Sequence, residues 1–119
     1  MNCYNDSMTV CWNVEEPTVI TERPVDTELV PYADVMFPCV AKTDASTPLT
    51  RKWYYDSEPV ANNDVMFVAS NGSLVVRLSL VDHGGTHLTG TYQCHVTNGY
   101  STATAYARLY VLGAKRTYY

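Results

Sequence analysis

The stretch "GTYQCHV", residues 90–96, decides how the rest of the chain is interpreted. Tyr92, Cys94 and Val96 alternate with residues that suit solvent, which is the period-two pattern of a strand with one buried face. The run raises two questions. One is what the Tyr92 hydroxyl bonds once it is buried, and the other is which cysteine is the partner of Cys94.

The same alternation recurs about every ten residues. Residues 35–41, 74–80 and 105–111 each place an apolar side chain at every second position. Asn71-Gly72 and Asn98-Gly99 are dipeptides typical of two-residue type I′ hairpins. Half-buried strands at regular spacing, separated by such turn signals, predict an all-β fold, either a sandwich or a barrel.

Composition limits the function. The chain has 119 residues, enough for one domain, and a net charge of −4, which argues against a nucleic-acid footprint. No apolar run is long enough to span a bilayer, and residues 1–12 lack the apolar core of a signal peptide. Four cysteines and the glycosylation sequons at Asn5 and Asn71 indicate an oxidising, secretory environment. We therefore expect an extracellular or cell-surface domain that belongs to a longer protein.

Two cysteines and one tryptophan have a recognisable spacing. Cys39 and Cys94 each have the inward parity of their strands and lie 55 residues apart, and Trp53 follows Cys39 by 14 residues. The segments that carry this pattern are Cys39, Trp53, "NGSLVV" at 71–76, "GTYQC" at 90–94 and "NGYSTATAYARLYV" at 98–111. On these residues, the chain resembles the immunoglobulin superfamily, and more narrowly its intermediate-type domains. "CVAKTDASTPLTRKWYYD" at 39–56 is similar to neural adhesion molecules of the neuroglian, neurofascin and contactin type.

This resemblance implies an immunoglobulin-like β-sandwich with a disulfide between its sheets. Cys39 would pair with Cys94, and Trp53 would pack against the bridge. Tyr92 would be the tyrosine corner, whose hydroxyl bonds backbone upstream. The family usually has an aspartate where this chain has Leu88, and residues 82–87 lengthen the connection before it.

The resemblance covers residues 15–113, which we expect to form the immunoglobulin-like domain. Residues 1–14 are then an N-terminal segment with an extra cysteine pair, and residues 114–119 a C-terminal linker. Cys3 and Cys11 could bridge each other or pair with a neighbouring domain, and we favour the mutual bridge. Their spacing fits neither a redox CxxC motif nor a zinc site.

No catalytic or metal-binding motif stands out. His83 and His87 are four residues apart, but the glycines between them at 84 and 85 break the helix that would bring both imidazoles to one metal ion. There is no nucleophile elbow and no glycine-rich phosphate loop. We therefore expect no enzyme activity, no cofactor and no small-molecule substrate.

The remaining candidate for a functional site is the exposed face of a sheet. In an immunoglobulin-like fold, the strands that carry Trp53, Cys94 and Ala105 are neighbours in one sheet, so their outward residues share a face. Tyrosine and arginine are frequent at binding hot spots, although tyrosine is also common on solvated sheets. The predicted partner-binding residues are Lys52, Tyr54, Gln93, His95, Tyr106, Arg108 and Tyr110.

The opposite face is a second candidate. It carries Met36, Val40, Val75 and Arg77. Pro38 lies within its first strand, where it cannot donate a ladder hydrogen bond and predicts a bulge or an unpaired stretch.

These observations lead to one functional hypothesis and two alternatives. The hypothesis is an extracellular immunoglobulin-like module of a cell-surface adhesion protein that binds protein partners in cis or in trans, with a second copy of itself as one candidate. The alternatives are a ligand-binding domain of a cytokine or growth-factor receptor, and an immune-recognition protein.

Overall fold

The structure, a computed structural model, describes residues 18–43 and 48–111 in full and the backbone of 2–3 and 11–12. The strands are β1 (Asn2–Cys3), β2 (Cys11–Trp12), β3 (Val19–Glu22), β4 (Thr27–Glu28), β5 (Val35–Phe37), β6 (Val40–Lys42), β7 (Thr50–Tyr55), β8 (Glu58–Pro59), β9 (Met66–Val68), β10 (Leu74–Val76), β11 (Gly90–Thr97) and β12 (Thr102–Tyr110). Two 3₁₀ segments, Leu78–Leu80 and Asp82–Leu88, lie between β10 and β11.

The strands form two layers. One is a five-stranded sheet in the order β4-β12-β11-β7-β8, and the other combines β5-β10-β9 with the pair β3-β6. Neighbouring strands are antiparallel, except that β4 runs parallel to β12. The disulfide Cys39–Cys94 joins the layers, with a Cα–Cα distance of 6.6 Å. The predicted all-β, immunoglobulin-like sandwich with an inter-sheet disulfide is confirmed.

The core lies around this bridge. Trp53 is opposite Cys94 in the β7–β11 ladder, is 2% exposed, and donates its Nε1–H to the Gly72 carbonyl at 2.9 Å. Tyr92 is fully buried and donates its hydroxyl hydrogen to the Leu88 carbonyl at 2.6 Å. This is the tyrosine corner that the resemblance implied, and it answers what the Tyr92 hydroxyl bonds.

The strand that contains Pro38 is interrupted there. β5 ends at Phe37 and pairs with β10, whereas β6 begins at Val40 and pairs with β3. Proline has no N–H to give to a ladder, so the chain changes its pairing partner at this point. The expected unpaired stretch is confirmed.

The prediction of type I′ turns at the two Asn-Gly pairs is wrong. That turn needs positive φ at both central residues, and neither Asn71 nor Asn98 has one. Gly72 alone is left-handed in the β9–β10 hairpin, where its N–H bonds the Ala69 carbonyl. The Asn98 side chain instead accepts hydrogen bonds from two following N–H groups, and it is buried. In both turns the asparagine side chain, and not a left-handed asparagine backbone, organises the loop.

A two-residue turn with two positive φ angles lies elsewhere, at Asp56 (46°) and Ser57 (74°), between β7 and β8. Asp56 is also tied to β11, because the Asp56 N–H donates to the Thr91 carbonyl and the Thr91 N–H donates to Asp56 Oδ1, both at 2.8 Å. Aspartate tolerates the left-handed region better than most residues. The aspartate that ends the aromatic run of β7 was the available signal for this turn.

The predicted strand over residues 74–80 is too long. β10 ends at Val76, and the chain then turns in the 3₁₀ segment, which leaves Leu78 buried and Leu80 53% exposed. Apolar alternation over 74–80 therefore did not distinguish a strand from a strand followed by a turn.

The terminal segments are only partly described. β1 pairs with β2 so that Cys3 is directly opposite Cys11 along the backbone. The side chains of both cysteines lie outside the described residues, as do Asn5 and residues 114–119. The Cys3–Cys11 bridge and the domain boundaries therefore stay predictions.

Candidate protein-binding face

The outward side of the five-stranded sheet collects the predicted binding residues, and we call it the five-stranded face. The ladders place Gln93 between Tyr54 on β7 and Tyr106 on β12, and they place His95 next to Lys52. The face contains all seven predicted residues, namely Lys52, Tyr54, Gln93, His95, Tyr106, Arg108 and Tyr110. Sequence parity therefore predicted which side chains share this surface.

The middle of this face is aromatic. Tyr106 is 62% exposed, and the Tyr54 ring lies 4.8 Å from the His95 ring, tilted by 51°. The His95 Nε2 atom is shielded from solvent and has no hydrogen-bond partner among the residues that the structure describes. A shielded polar atom without a partner is uncommon in a finished core.

Arg108 lies towards one side of the face. Its backbone N–H donates to Asp26 Oδ1 at 2.8 Å, and its Nε lies 4.0 Å from Asp26 Oδ2. Both side chains are more than half exposed, so the ion pair itself contributes little to stability. Its guanidinium remains accessible to a partner.

A surface cavity of about 490 Å³ opens beside the β7–β8 turn. Its lining consists of Asp56, Ser57, Thr91, Gln93 and Tyr106. One carboxylate oxygen of Asp56 is bonded by the Thr91 N–H, and the aspartate is exposed. The cavity therefore combines a negative charge, an amide and an aromatic ring. Sequence reasoning did not single out Asp56, because its role depends on the fold bringing β11 and β12 beside the turn.

Two tyrosines beneath the face are proton donors, of which Tyr92 is buried and Tyr55 is half-buried. Burial raises the pKa of Tyr92 and, to a lesser extent, that of Tyr55. The Tyr55 hydroxyl donates to the Thr89 carbonyl at 2.7 Å, close to where Tyr92 bonds the Leu88 carbonyl. Both phenols stay neutral at physiological pH, and both anchor the strand that carries Gln93 and His95.

The opposite face is less continuous. Met36, Val75 and Phe67 form one row across β5, β10 and β9, and Met36 is 58% exposed. The Arg77 guanidinium lies 5.3 Å from the centre of the Phe67 ring. Val40, the other predicted member, belongs to β6 and to a different ladder. The structure therefore brings Met36 and Val75 together but not Val40.

The predicted glycosylation site and the histidine pair lie away from the five-stranded face. Asn71 is exposed at the tip of the β9–β10 hairpin, with its Oδ1 accepting the Ser73 N–H at 2.9 Å. His83 and His87 are exposed within the second 3₁₀ segment. In the described ranges, there is no group of three potential metal ligands, and no helix has the length and apolarity to cross a membrane.

Comparisons with known proteins agree with the fold. No family model matches the sequence. The human protein "leucine-rich repeats and immunoglobulin-like domains protein 1" is 34% identical over 112 residues, which cover 86% of this chain and 10% of that protein. The chain thus spans about a tenth of the length of this curated relative.

Solved structures give the same result. Immunoglobulin domains 1–5 of Sidekick-1 match with a TM-score of 0.69 at 22% identity, covering 82% of this chain and 20% of that one. The neural ectodermal development factor IMP-L2 matches with a TM-score of 0.70 at 14% identity, covering 87% and 47%. A mutant complex of titin with obscurin-like 1 matches with a TM-score of 0.69 at 22% identity, covering 82% and 95%. The chain therefore has the immunoglobulin-like fold.

Proposed function

We propose that this domain is an extracellular protein-recognition module of a cell-surface adhesion protein and that the five-stranded face is its binding surface. The observation that supports this most is the row Tyr54–Gln93–Tyr106 beside His95, in which the Tyr106 side chain is 62% exposed. Tyrosines on a rigid sheet give a large contact area at low entropic cost and still hydrogen-bond.

The proposed location rests on the disulfide. Cys39–Cys94 is buried in the core, and disulfides of this kind persist in oxidising compartments. The names of two similar structures support protein partners and not a location, since one is a Sidekick-1 fragment made of immunoglobulin domains and the other a titin domain in complex with obscurin-like 1. Within this proposal, residues 15–113 are the module, residues 1–14 are an N-terminal segment with an extra cysteine pair, and residues 114–119 are a C-terminal linker.

The subtype of the domain and the kind of partner that it binds belong to the same proposal. The motifs at 71–76 and 98–111 support an intermediate-type domain, and the stretch at 39–56 supports the neural adhesion kind. Such a module acts by binding alone, without catalysis or a cofactor. Its partners are proteins in cis or in trans, and a glycan on Asn71 would project from the tip of a hairpin of the other sheet. The five-stranded face would then remain uncovered.

A bead assay tests the proposal. The oxidised, glycosylated domain is displayed at high density on fluorescent beads, which are then offered to beads carrying the same domain and to a panel of cell-surface ectodomains from the same organism. High density compensates for weak single contacts. We expect specific binding to at least one of these targets.

The decisive variants have matched exposure. Tyr106→Ala removes a 62% exposed side chain from the five-stranded face, and Met36→Ala removes a 58% exposed one from the opposite face. We expect Tyr106→Ala to weaken binding about fivefold or more, as for a hot-spot residue, and Met36→Ala to leave it unchanged. The reverse result would move the site to the other sheet. Absence of binding to every target would indicate a spacer and contradict the proposal.

A further inference from the structure

We propose that the five-stranded face binds the same face of a second copy of this chain, with Lys52 of each copy entering the Asp56 cavity of the other. This inference rests on the proposed function, because it uses the same surface and names its partner. It is carried by the order of charges along the face and by the contents of the cavity.

The charges are arranged in a self-complementary order. Lys52 lies within β7 and Asp56 lies in the turn directly after it, with Tyr54 midway between them along the chain. Four residues of strand span about 13 Å, which is too far for an ion pair within one copy. Neither Lys52 nor Asp56 forms an ion pair within the part of the chain that the structure describes.

A twofold axis brings these charges together. Consider a twofold axis that lies in the plane of the interface, perpendicular to the strands, and passes through Tyr54. Rotation by 180° about this axis stacks the two faces, and the Lys52 end of one copy then meets the Asp56 end of the other. Lys52 then lies over Asp56 twice, and Tyr54 meets its own image. Such an isologous contact is the commonest arrangement of protein dimers.

The cavity is suited to an ammonium group. Thr91 N–H occupies one carboxylate oxygen of Asp56, which leaves the other oxygen for a cation. Gln93 and Tyr106 complete the lining, and an ammonium placed over an aromatic ring gains a further attraction. A lysine side chain has the reach to cross between two facing sheets while its head remains at the carboxylate.

The same geometry fixes which residue faces His95. In the β7–β11–β12 ladders, His95 shares the row of Lys52, and Thr91 lies one row beyond Gln93 on the other side. The rotation that places Lys52 over Asp56 therefore places His95 over the exposed Thr91 of the second copy. A threonine side chain is small enough to pack against the imidazole ring at this point.

The test is the self-association of the oxidised chain, measured by sedimentation equilibrium from micromolar to near-millimolar concentration. We expect reversible dimers of the wild type that weaken at high salt, since the ion pairs are screened. Lys52→Glu would place two pairs of like charges together and is expected to weaken the dimer about tenfold or more. Asp56→Asn removes the charge, keeps an oxygen for the Thr91 N–H and suits a left-handed φ, so the fold is retained while the dimer weakens.

Mixing the two variants is the sharpest measurement. A mixed dimer of Lys52→Glu with Asp56→Asn keeps one Lys52–Asp56 pair and contains no like-charge pair. We therefore expect more dimer in the mixture than in either variant alone. Glu58→Gln is the matched control for Asp56→Asn. It also replaces a carboxylate by a neutral amide, but two residues further along the chain and beside a different cavity. It should leave the dimer unchanged.

Three results would overturn the inference. They are a wild-type monomer throughout, a dimer that neither Lys52→Glu nor Asp56→Asn weakens, and a mixture that dimerises no better than its components. A wild-type monomer whose beads still bind another ectodomain through Tyr106 would remove self-recognition but keep the proposed function. Near-ultraviolet circular dichroism of every variant separates loss of the contact from loss of the fold.

Discussion

The centre of the sandwich and the β10–β11 connection, residues 77–89, are built in different ways. At the centre, Cys39, Trp53 and Cys94 are buried side chains whose positions follow from strand alternation. The connection depends on backbone conformations, with His83, Gly84 and Gly85 all left-handed, and on a few hydrogen bonds from neighbouring side chains. The comparison teaches that side-chain packing determines the layers, whereas backbone geometry determines how the chain passes from one layer to the other.

The largest expected effect comes from the centre. Replacing both Cys39 and Cys94 by alanine removes the bridge across 55 residues and should lower the free energy of unfolding by about 4 kcal/mol. That is a large part of the stability of a typical domain. Urea unfolding of the double variant against the oxidised wild type measures it. A loss below about 1 kcal/mol would mean that packing around Trp53 holds the layers together without the disulfide.

The next effect probes the connection. Gly85 has φ of 90°, and a Cβ there would collide with the buried Leu78 side chain. Gly85→Ala should lower the free energy of unfolding by about 3 kcal/mol, from backbone strain together with overpacking. Gly99→Ala is the control, because Gly99 has a similar φ of 95° but is exposed. Equal losses in thermal unfolding of the two variants would show that contact with Leu78 contributes nothing.

A smaller effect tests the bond between the two regions. Tyr92→Phe keeps the buried ring but removes the hydroxyl that bonds the Leu88 carbonyl, and it should cost about 1 kcal/mol at neutral pH. Because burial raises the pKa of Tyr92 in the folded state, its stabilisation is complete below pH 10 and is lost as pH rises further. The phenylalanine variant should therefore lose less stability between pH 9 and 11.

The control for this variant is Tyr100→Phe, since Tyr100 is 70% exposed and should show neither change. Chemical unfolding of both variants at pH 7, 9 and 11 gives the comparison. An alkaline loss of the same size in Tyr92→Phe and in the wild type would remove the tyrosine corner from the explanation.

The smallest effect concerns the first 3₁₀ turn. Asp34 accepts hydrogen bonds from the Ser79 N–H at 3.0 Å and from the Ser79 hydroxyl at 2.8 Å, and these bonds lower the pKa of Asp34. The stabilisation is present above the ordinary aspartate pKa and is lost as pH falls through the lower folded value. Wild type and Asp34→Asn should therefore differ slightly at pH 6 and converge near pH 2.5. A difference that grows on acidification would contradict this sign.

The same division separates what the sequence predicted from what it did not. Cys39, Trp53, Tyr92 and Cys94 lie at inward positions of alternating runs, so their burial and the shared outward face followed from parity. The exposure of Leu80 could not be predicted in this way. The apolar alternation continues past Val76, the last residue of β10 that pairs, and it does not show where strand pairing stops. Asp56 was missed for another reason, since its site exists only when β11 and β12 lie beside the β7–β8 turn.

The crossing of the chain from one layer to the other near Pro24 has a mechanical consequence. β3 pairs in one layer and β4 in the other, where β4 runs parallel to β12 at Leu109 and Tyr110. Tension that pulls β4 towards the beginning of the chain and β12 towards its end slides these two strands past each other, so their hydrogen bonds are loaded together and not one after another. A ladder of only two residue pairs is thus placed to resist a stretching force on the domain in shear.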